Sequence, residues 1–410
     1  MYSVDVIYAR YMGFMAILTA VAASMWSLSA RPATRRLNQV GLEPVAIDYR
    51  LIFLYVLCLA LTISYYRAVG HVTLLQAITT SGNYDAASAR LESYAGASYF
   101  APGYINQFKN ALLPALTFSF IHALWTRRVP GRLMISVALS VVAVVAVAGT
   151  GQRGALVIVL LSFVIALRAG GHLRGVSLAW MAALGFVLFS FTTYFNGRQK
   201  AEIDAASTIG DKFQIYAEAL FDRVFREQAM SGIYGFRYTY GLPVPNGREW
   251  FTDILGILPA YRGSDLSNKI FATIYGSDRG TSPPSNWGGA YYNFGFAMSI
   301  GVALLILVIY ALLSQRFYVS HSICRLNSLQ MIGLAGFAVA TGSWVAGSPL
   351  AILNQGALAF LFAYWLGGRC NKRGDTGREG VRRGRGRPSP STVPQPVRRP
   401  RVLVRGVRAS

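Results

Sequence analysis

Between roughly Asn196 and Ser285 runs the only large polar segment of this chain, and it interrupts a series of apolar stretches long enough to cross a bilayer. That layout restricts the fold more than any motif does. A spanning helix needs about 20 mainly apolar residues at a rise of about 1.5 Å each, and in hydrocarbon only a helix or a closed barrel satisfies its own backbone. Nine such stretches are readable, at approximately 11–30, 48–66, 108–126, 132–149, 154–168, 176–195, 288–312, 328–346 and 350–367. The apolar run from Leu133 to Leu167 is too long for one crossing, and the turn Gly149-Thr150-Gly151-Gln152-Arg153-Gly154 splits it. The predicted fold class is an all-α polytopic membrane protein with about nine transmembrane helices and one large outer-face loop containing amphipathic helices. A composition 53% hydrophobic and 14% charged agrees with that class and disfavours a soluble globular enzyme.

Basic residues in short loops resist translocation and so set orientation. Arg31, Arg35, Arg36 and Arg50 follow the first stretch, Arg127, Arg128 and Arg132 the third, Arg168 and Arg174 the fifth, and Arg316 and Arg325 the seventh. All are expected on the cytoplasmic side, which puts the amino terminus and the segments 67–107 and 196–287 outside. Ser27-Leu28-Ser29-Ala30 has the look of a cleavage site, but cleavage would leave Arg31, Arg35 and Arg36 outside, so an uncleaved anchor is expected. The chain divides into helices 1–6 (1–195), the outer loop (196–287), helices 7–9 (288–367) and a basic cytoplasmic tail (368–410). That tail holds half of the net charge of +22 in a Gly/Arg/Pro-rich context. Such a tail beside a last helix reads as a disordered topology-setting or anionic-lipid-binding element rather than a nucleic-acid binder. Cys58 falls in an apolar stretch and Cys324 and Cys370 on the cytoplasmic side, so no outer-face disulfide is expected.

Inside the outer loop, Thr208-Ile209-Gly210-Asp211 spells a capping box and predicts a helix from about Ile209 to Met230. At 100° per residue Phe213, Ala217, Leu220, Phe221, Val224 and Phe225 share one face and Lys212, Glu218, Asp222, Arg223, Arg226 and Glu227 the other. Such a helix lies on a membrane surface or caps a bundle. The prolines of Gly241-Leu242-Pro243-Val244-Pro245-Asn246-Gly247 demand irregular backbone, and two short helices are expected near 250–258 and 266–275.

Seven arginines, Arg198, Arg223, Arg226, Arg237, Arg248, Arg262 and Arg279, are the main chemical statement of that loop. Arginine stays charged and forks onto phosphate or carboxylate, which suits a lipid diphosphate at a membrane surface; pairing with the loop's own acidic residues is the plain alternative. Arg153, in a connection too short to leave the interface, is an ionisable group where charge is costly. No Asp-x-Asp pair and no His/Cys cluster occurs, so neither metal nor cofactor is expected. Of the four histidines only His71 maps outside. No nucleotide-binding loop or nucleophile elbow is present. Asn286 and Asn293, seven residues apart, share a helix face that could bind a sugar or a neighbouring helix.

Three pieces of sequence carry a resemblance: Thr150-Gly151-Gln152-Arg153-Gly154; Tyr238-Thr239-Tyr240-Gly241 leading to Ile257-Leu258-Pro259; and Ala290-Tyr291-Tyr292-Asn293-Phe294-Gly295. In order and topology they resemble the bacterial O-antigen and oligosaccharide repeat-unit polymerases of the Wzy type. The resemblance implies a GT-C-like integral glycosyltransferase that joins undecaprenyl-diphosphate-linked oligosaccharides at the outer face of the bacterial inner membrane, among membrane lipids and beside a flippase and a chain-length regulator. The Arg-x10-Gly spacing of some family loops is missing here. Under that reading Arg153 and Arg262 are the expected diphosphate clamps, with Arg198, Arg223 and Arg279 in reserve. Glu218, Asp222 or His71 would serve as base and Asn286 and Asn293 would contact sugar. A ligase of the same superfamily resembles a pattern with a histidine in the large outer loop, absent here. A lipid-linked sugar transporter would carry ionisable residues midway through its helices.

Overall fold

The computed structural model describes residues 3–37, 42–79, 104–151, 153–170, 200–222, 226–256, 258, 261, 263–276, 280–321, 326–343 and 356–368, with scattered positions between 179 and 194. Among them every regular element is a helix, apart from an isolated parallel bridge between Glu43 and Asn327. The protein is all-α, as its sequence predicts.

In chain order α1 (Val4–Leu37) and α2 (Tyr49–Val69) contain the two described windows long and apolar enough to cross a membrane, Val4–Val21 and Tyr49–Val69. Asp48 caps α2 by accepting from the Leu51 amide, and Gly70 closes it in the left-handed conformation. A short α3 (Thr73–Thr79) follows. A single turn, Tyr104–Asn106, and a π-helical stretch, Gln107–Leu112, lead into α4 (Leu113–Thr126). Pro114 explains the widened turn: it has no amide to offer, and its ring would strike the Asn110 carbonyl in a regular α-helix.

The shorter apolar helices α5 (Arg132–Ala148) and α6 (Arg153–Ala169) are separated at Gly149–Gly151, where the sequence requires a break. The helices of the polar segment are α7 (Lys200–Ala205), α8 (Ile209–Phe221), α9 (Glu227–Thr239), α10 (Arg248–Leu255) and α11 (Leu266–Tyr275). They are followed by α12 (Ser285–His321), α13 (Ser328–Ser343) and α14 (Ala357–Gly368). The stretch expected at 176–195 and the basic tail lie wholly or largely outside the described residues, as do Cys324 and Cys370.

Two sub-assemblies pack within this unit. Around one core, α2, α4, α5, α6, α13 and α14 bury Leu112, Leu113, Leu116, Leu329, Ile332 and Phe360. Small residues set the closest approach there: a Cβ on Gly333 would stand 2.6 Å from the Phe360 carbonyl and the Tyr364 amide, so α13 and α14 can cross only at a glycine. In the other group α1 runs along α12, with α9 and α10 packed on α12 and α11 on α9. The outward faces of α1, α2, α5 and α12 carry exposed Ile17, Phe53, Met134 and Leu305, an apolar exterior unlike that of a soluble bundle.

The capping box forms as spelled: the Asp211 amide donates to Thr208 Oγ1 at 3.1 Å and the Thr208 amide to Asp211 Oδ2 at 3.2 Å. Hydrogen bonds to the carboxylate from Thr208, its side chain first and then its backbone amide, hold the Asp211 carboxyl below its ordinary range. The helix expected from about Ile209 to Met230 is present as α8 and α9, with Asp222 and Arg226 π-helical between them and residues 223–225 outside the described set, and it runs past Met230 to Thr239. Gly232 and Gly235, which weaken a helix in isolation, here admit neighbours. A Cβ on Gly232 would meet the Tyr8 hydroxyl at 2.7 Å, and one on Gly235 would meet Pro284 at 2.8 Å.

Candidate functional site

The helix α12 is broken. Gly295 sits at φ 70°, ψ −179°, a conformation essentially reserved for glycine, and it divides Ser285–His321 into two helical parts. A break frees carbonyls that the next turn would have paired, and the polar segment before α12 supplies a partner. The Gly247 amide, itself at φ 83°, donates to the Asn293 carbonyl at 3.0 Å. Tyr11 of α1 spans the break, its hydroxyl donating to the Trp287 carbonyl at 3.0 Å and to Ser299 Oγ at 3.3 Å. Around it Phe236, Tyr291 and Phe296 place ring centroids at 6.2, 5.9 and 5.6 Å.

Against this break lies the amino end of α10. Asn293 is fully buried and reaches into it: Oδ1 accepts from the Trp250 amide at 3.3 Å, while Nδ2 donates to Glu249 Oε2 at 2.8 Å and to the Gly289 carbonyl at 2.9 Å. Asn293 thereby caps a helix other than its own and fixes a carboxylate. Trp250 meets Phe294 edge to face with centroids 5.4 Å apart, and its indole lies against Gly289, where a Cβ would come within 3.2 Å of Nε1. Apart from the approach of Trp250 to Gly289, each of these contacts uses the Ala290–Gly295 segment singled out from the sequence.

Glu249 is half-buried. Burial pushes its carboxyl above the ordinary carboxylate range and the nearby Asp253 and Asp265 add to the rise, while hydrogen bonds from Ser264 and Asn293 oppose it. Asp253 accepts from the Ser264 amide at 2.9 Å, and Asp265 pairs with Lys269 at 3.0 Å. Tyr292 lies within electrostatic range of Glu249, Tyr238, Lys269 and Asp265. A carboxyl held in place by an amide and shifted toward neutrality is the usual make-up of a proton acceptor. Among the described residues no group of three or more His, Cys, Asp and Glu side chains converges as a metal ion would need.

A second polar focus lies at the Gly149–Gly151 turn. Lys109, in the π-helical stretch, is completely buried, and its Nζ donates to the Ala146 carbonyl at 3.0 Å and to Asn110 Oδ1 at 2.7 Å. The Tyr65 and Tyr66 rings stand 5.1 and 5.8 Å from it. The Tyr66 hydroxyl donates to the Val145 carbonyl at 3.0 Å and to that of Ala146 at 3.2 Å. Lysine and tyrosine together satisfy the last carbonyls of α5, where the helix dipole favours a cation. Thr150 in the same turn is buried, and its hydroxyl finds no partner among the described residues.

The residues expected at the site from sequence are placed as follows. Arg153 opens α6 and Asn286 lies in the first turn of α12, but their side chains are outside the described set, as are Arg198, Arg223, Arg262 and Arg279 altogether. Next to Arg262, Gly263 packs on Gly256, whose Cβ would come within 2.6 Å of the Gly263 Cα. Glu218 is exposed and accepts from Gln214 Nε2 at 2.8 Å; Asp222 pairs with Arg226 at 3.0 Å. Both carboxylates thus have partners within about one turn along the chain, as a solvated helix surface would. His71 is half-buried just beyond α2. Asn293 is built into the protein's own hydrogen bonding. Glu249 and Lys109 were not singled out from the sequence, although a lysine at the head of an apolar stretch is a recognisable signal. Glu249 gave none, being one acidic residue of several in a polar loop. No protein-family model, curated protein or solved structure matches the chain.

Proposed function

We propose that this chain is a membrane-embedded glycosyltransferase, an oligosaccharide repeat-unit polymerase. It would move a growing glycan from its undecaprenyl-diphosphate carrier onto a lipid-linked repeat unit at the outer face of the bacterial inner membrane. About nine crossings, an outer loop over 196–287 and a cytoplasmic tail complete the proposal. The observation that carries it is the Glu249 carboxyl held by Asn293, because the segment that supports the family resemblance is the one the fold uses to build a proton acceptor.

In the reaction the acceptor hydroxyl gives its proton to Glu249 as its oxygen bonds to the anomeric carbon. The bond from that carbon to the diphosphate oxygen breaks, and its electron pair leaves with the lipid diphosphate. Negative charge grows on the leaving group, so fixed cations beside it lower the barrier; Arg153 and Arg262 are the proposed clamps. Lys109 adds a cation to the turn from which Arg153 starts α6. It lies near the end of its apolar stretch rather than midway, which favours an enzyme over a transporter.

The test is genetic and chemical. In the source bacterium, deleting the gene should leave a single-repeat glycolipid in place of a polymer ladder, and the wild-type gene should restore the ladder. Arg153→Ala, Arg262→Ala and Glu249→Gln should each fail to restore it at normal protein level. Restoration of ladder length by the substituted protein removes that residue from the site. A deletion strain that still polymerises, yet no longer attaches polymer to its final acceptor, would mean a ligase instead.

A further inference from the structure

Helix α10 is inside out for a helix in water. At 100° per residue Arg248-Glu249-Trp250-Phe251-Thr252-Asp253-Ile254-Leu255 places Glu249 and Asp253 on one side and Phe251 and Ile254 on the other. The carboxylates are the side turned toward protein, Glu249 held by Asn293 and Asp253 by the Ser264 amide. The apolar side is turned outward: Phe251 is 59% exposed and Ile254 49%. Apolar residues flanking the helix along the chain are exposed too, Tyr240, Leu242 and Val244 before it and Leu258 and Tyr261 after it. Water would penalise exposed apolar surface of that kind.

What covers it is indicated by where it leads. Val244 lies against the α12 break, its Cγ2 3.8 Å from the position of a Cβ on Gly295. Immediately beyond that glycine the outward residues of α12 are Phe296 and Met298, followed by Leu304, Leu305, Val308 and Leu312, all exposed. At Val244 these exposed apolar residues therefore adjoin the apolar exterior of α12. Arg248, exposed at the edge of the helix, is suited to reach lipid phosphates while the ring of Phe251 points to acyl chains. We infer that α10, with residues 240–244 and with Leu258 and Tyr261, is a wedge seated in lipid, and that the surface it meets is the bilayer leaflet on the loop side of α12. The wedge would hold the Glu249 carboxyl level with the headgroups, on the protein side of the same helix. This placement rests on α12 spanning a membrane and not on which reaction the site performs.

The test uses the full chain with Cys58, Cys324 and Cys370 replaced by alanine, in nanodiscs of phosphatidylethanolamine and phosphatidylglycerol. Nitroxide labels are attached in turn through Phe251→Cys, Ile254→Cys, Leu258→Cys and, as an exposed polar reference, Asp265→Cys. Collision rates with oxygen, which concentrates in hydrocarbon, and with a water-soluble nickel chelate are compared. The expected result is a several-fold excess of oxygen over nickel collisions at 251, 254 and 258, reversed at 265. Nickel access at the three apolar positions equal to that at 265 would place the helix in water and overturn the wedge. Protection from both reagents would overturn it as well, in favour of a second copy or another protein. Three apolar positions are labelled so that one poorly folding variant does not decide the outcome. No glycan substrate is involved, so failure here leaves the polymerase reading standing.

Discussion

Replacing Gly295 with alanine should destabilise the protein through backbone strain alone. A Cβ there would meet nothing closer than Val244 Cγ2 at 3.8 Å, an ordinary contact, so steric crowding contributes little. The strain comes from φ 70°, ψ −179°, a region costing an L-residue about 1–3 kcal/mol. If the chain escaped by straightening α12, the Gly247 amide would lose the Asn293 carbonyl, and with it the register that brings Asn293 to Glu249. Gly301 is the control: it is helical, a Cβ there would meet nothing within 4 Å, and it has no positive φ. Alanine at that position should stabilise by up to about 1 kcal/mol through helix propensity. Thermal unfolding of both variants in the same lipid nanodiscs, followed by far-UV circular dichroism, should give shifts of opposite sign. A Gly295→Ala protein at least as stable as Gly301→Ala would show that the break is not imposed by the contacts described and would remove it as the scaffold of the site.

Glu249→Gln should alter the pH dependence of stability. Because the folded carboxyl is raised, the folded state holds more protons than the unfolded one between the ordinary value of 4.5 and the raised one. Wild-type stability therefore falls as pH rises through that window, and the melting temperature of the glutamine variant relative to wild type should climb over the same interval; a pH-independent difference would refute the assignment. Lys109→Met should leave the Ala146 carbonyl short of a donor and Asn110 Oδ1 unpaired, costing about 1–3 kcal/mol of stability, with Lys109→Arg less damaging; denaturant titration that finds both variants equal to wild type would show the buried ammonium is dispensable. Arg237→Ala should cost little stability, because the paired Arg237 and Asp5 are both exposed even though their contacts measure 2.7 and 2.6 Å. That loss should shrink in high salt, and a salt-independent effect would point to packing instead.

The apolar stretches, the Thr208–Asp211 cap, the break at Gly149–Gly151 and the helix near Leu266–Tyr275 were legible in the sequence because each depends on residues within a few positions of one another. Periodicity, caps and breakers act locally, so a single chain declares them. The pairing of Asn293 with Glu249 joins residues 44 positions apart, and the contact of Tyr11 with Trp287 joins residues 276 apart. Nothing local predicts such partners. The extension of α9 beyond Met230 was hidden for the same reason, since Gly232 and Gly235 read as weak helix formers until Tyr8 and Pro284 are seen to need their space. By itself the sequence determined that the chain is helical and where its apolar and polar segments lie. Only the tertiary structure decided which carboxylate is drawn inward and which apolar face of α10 is left exposed, because burial and hydrogen bonding of one helix are set by the surfaces packed against it.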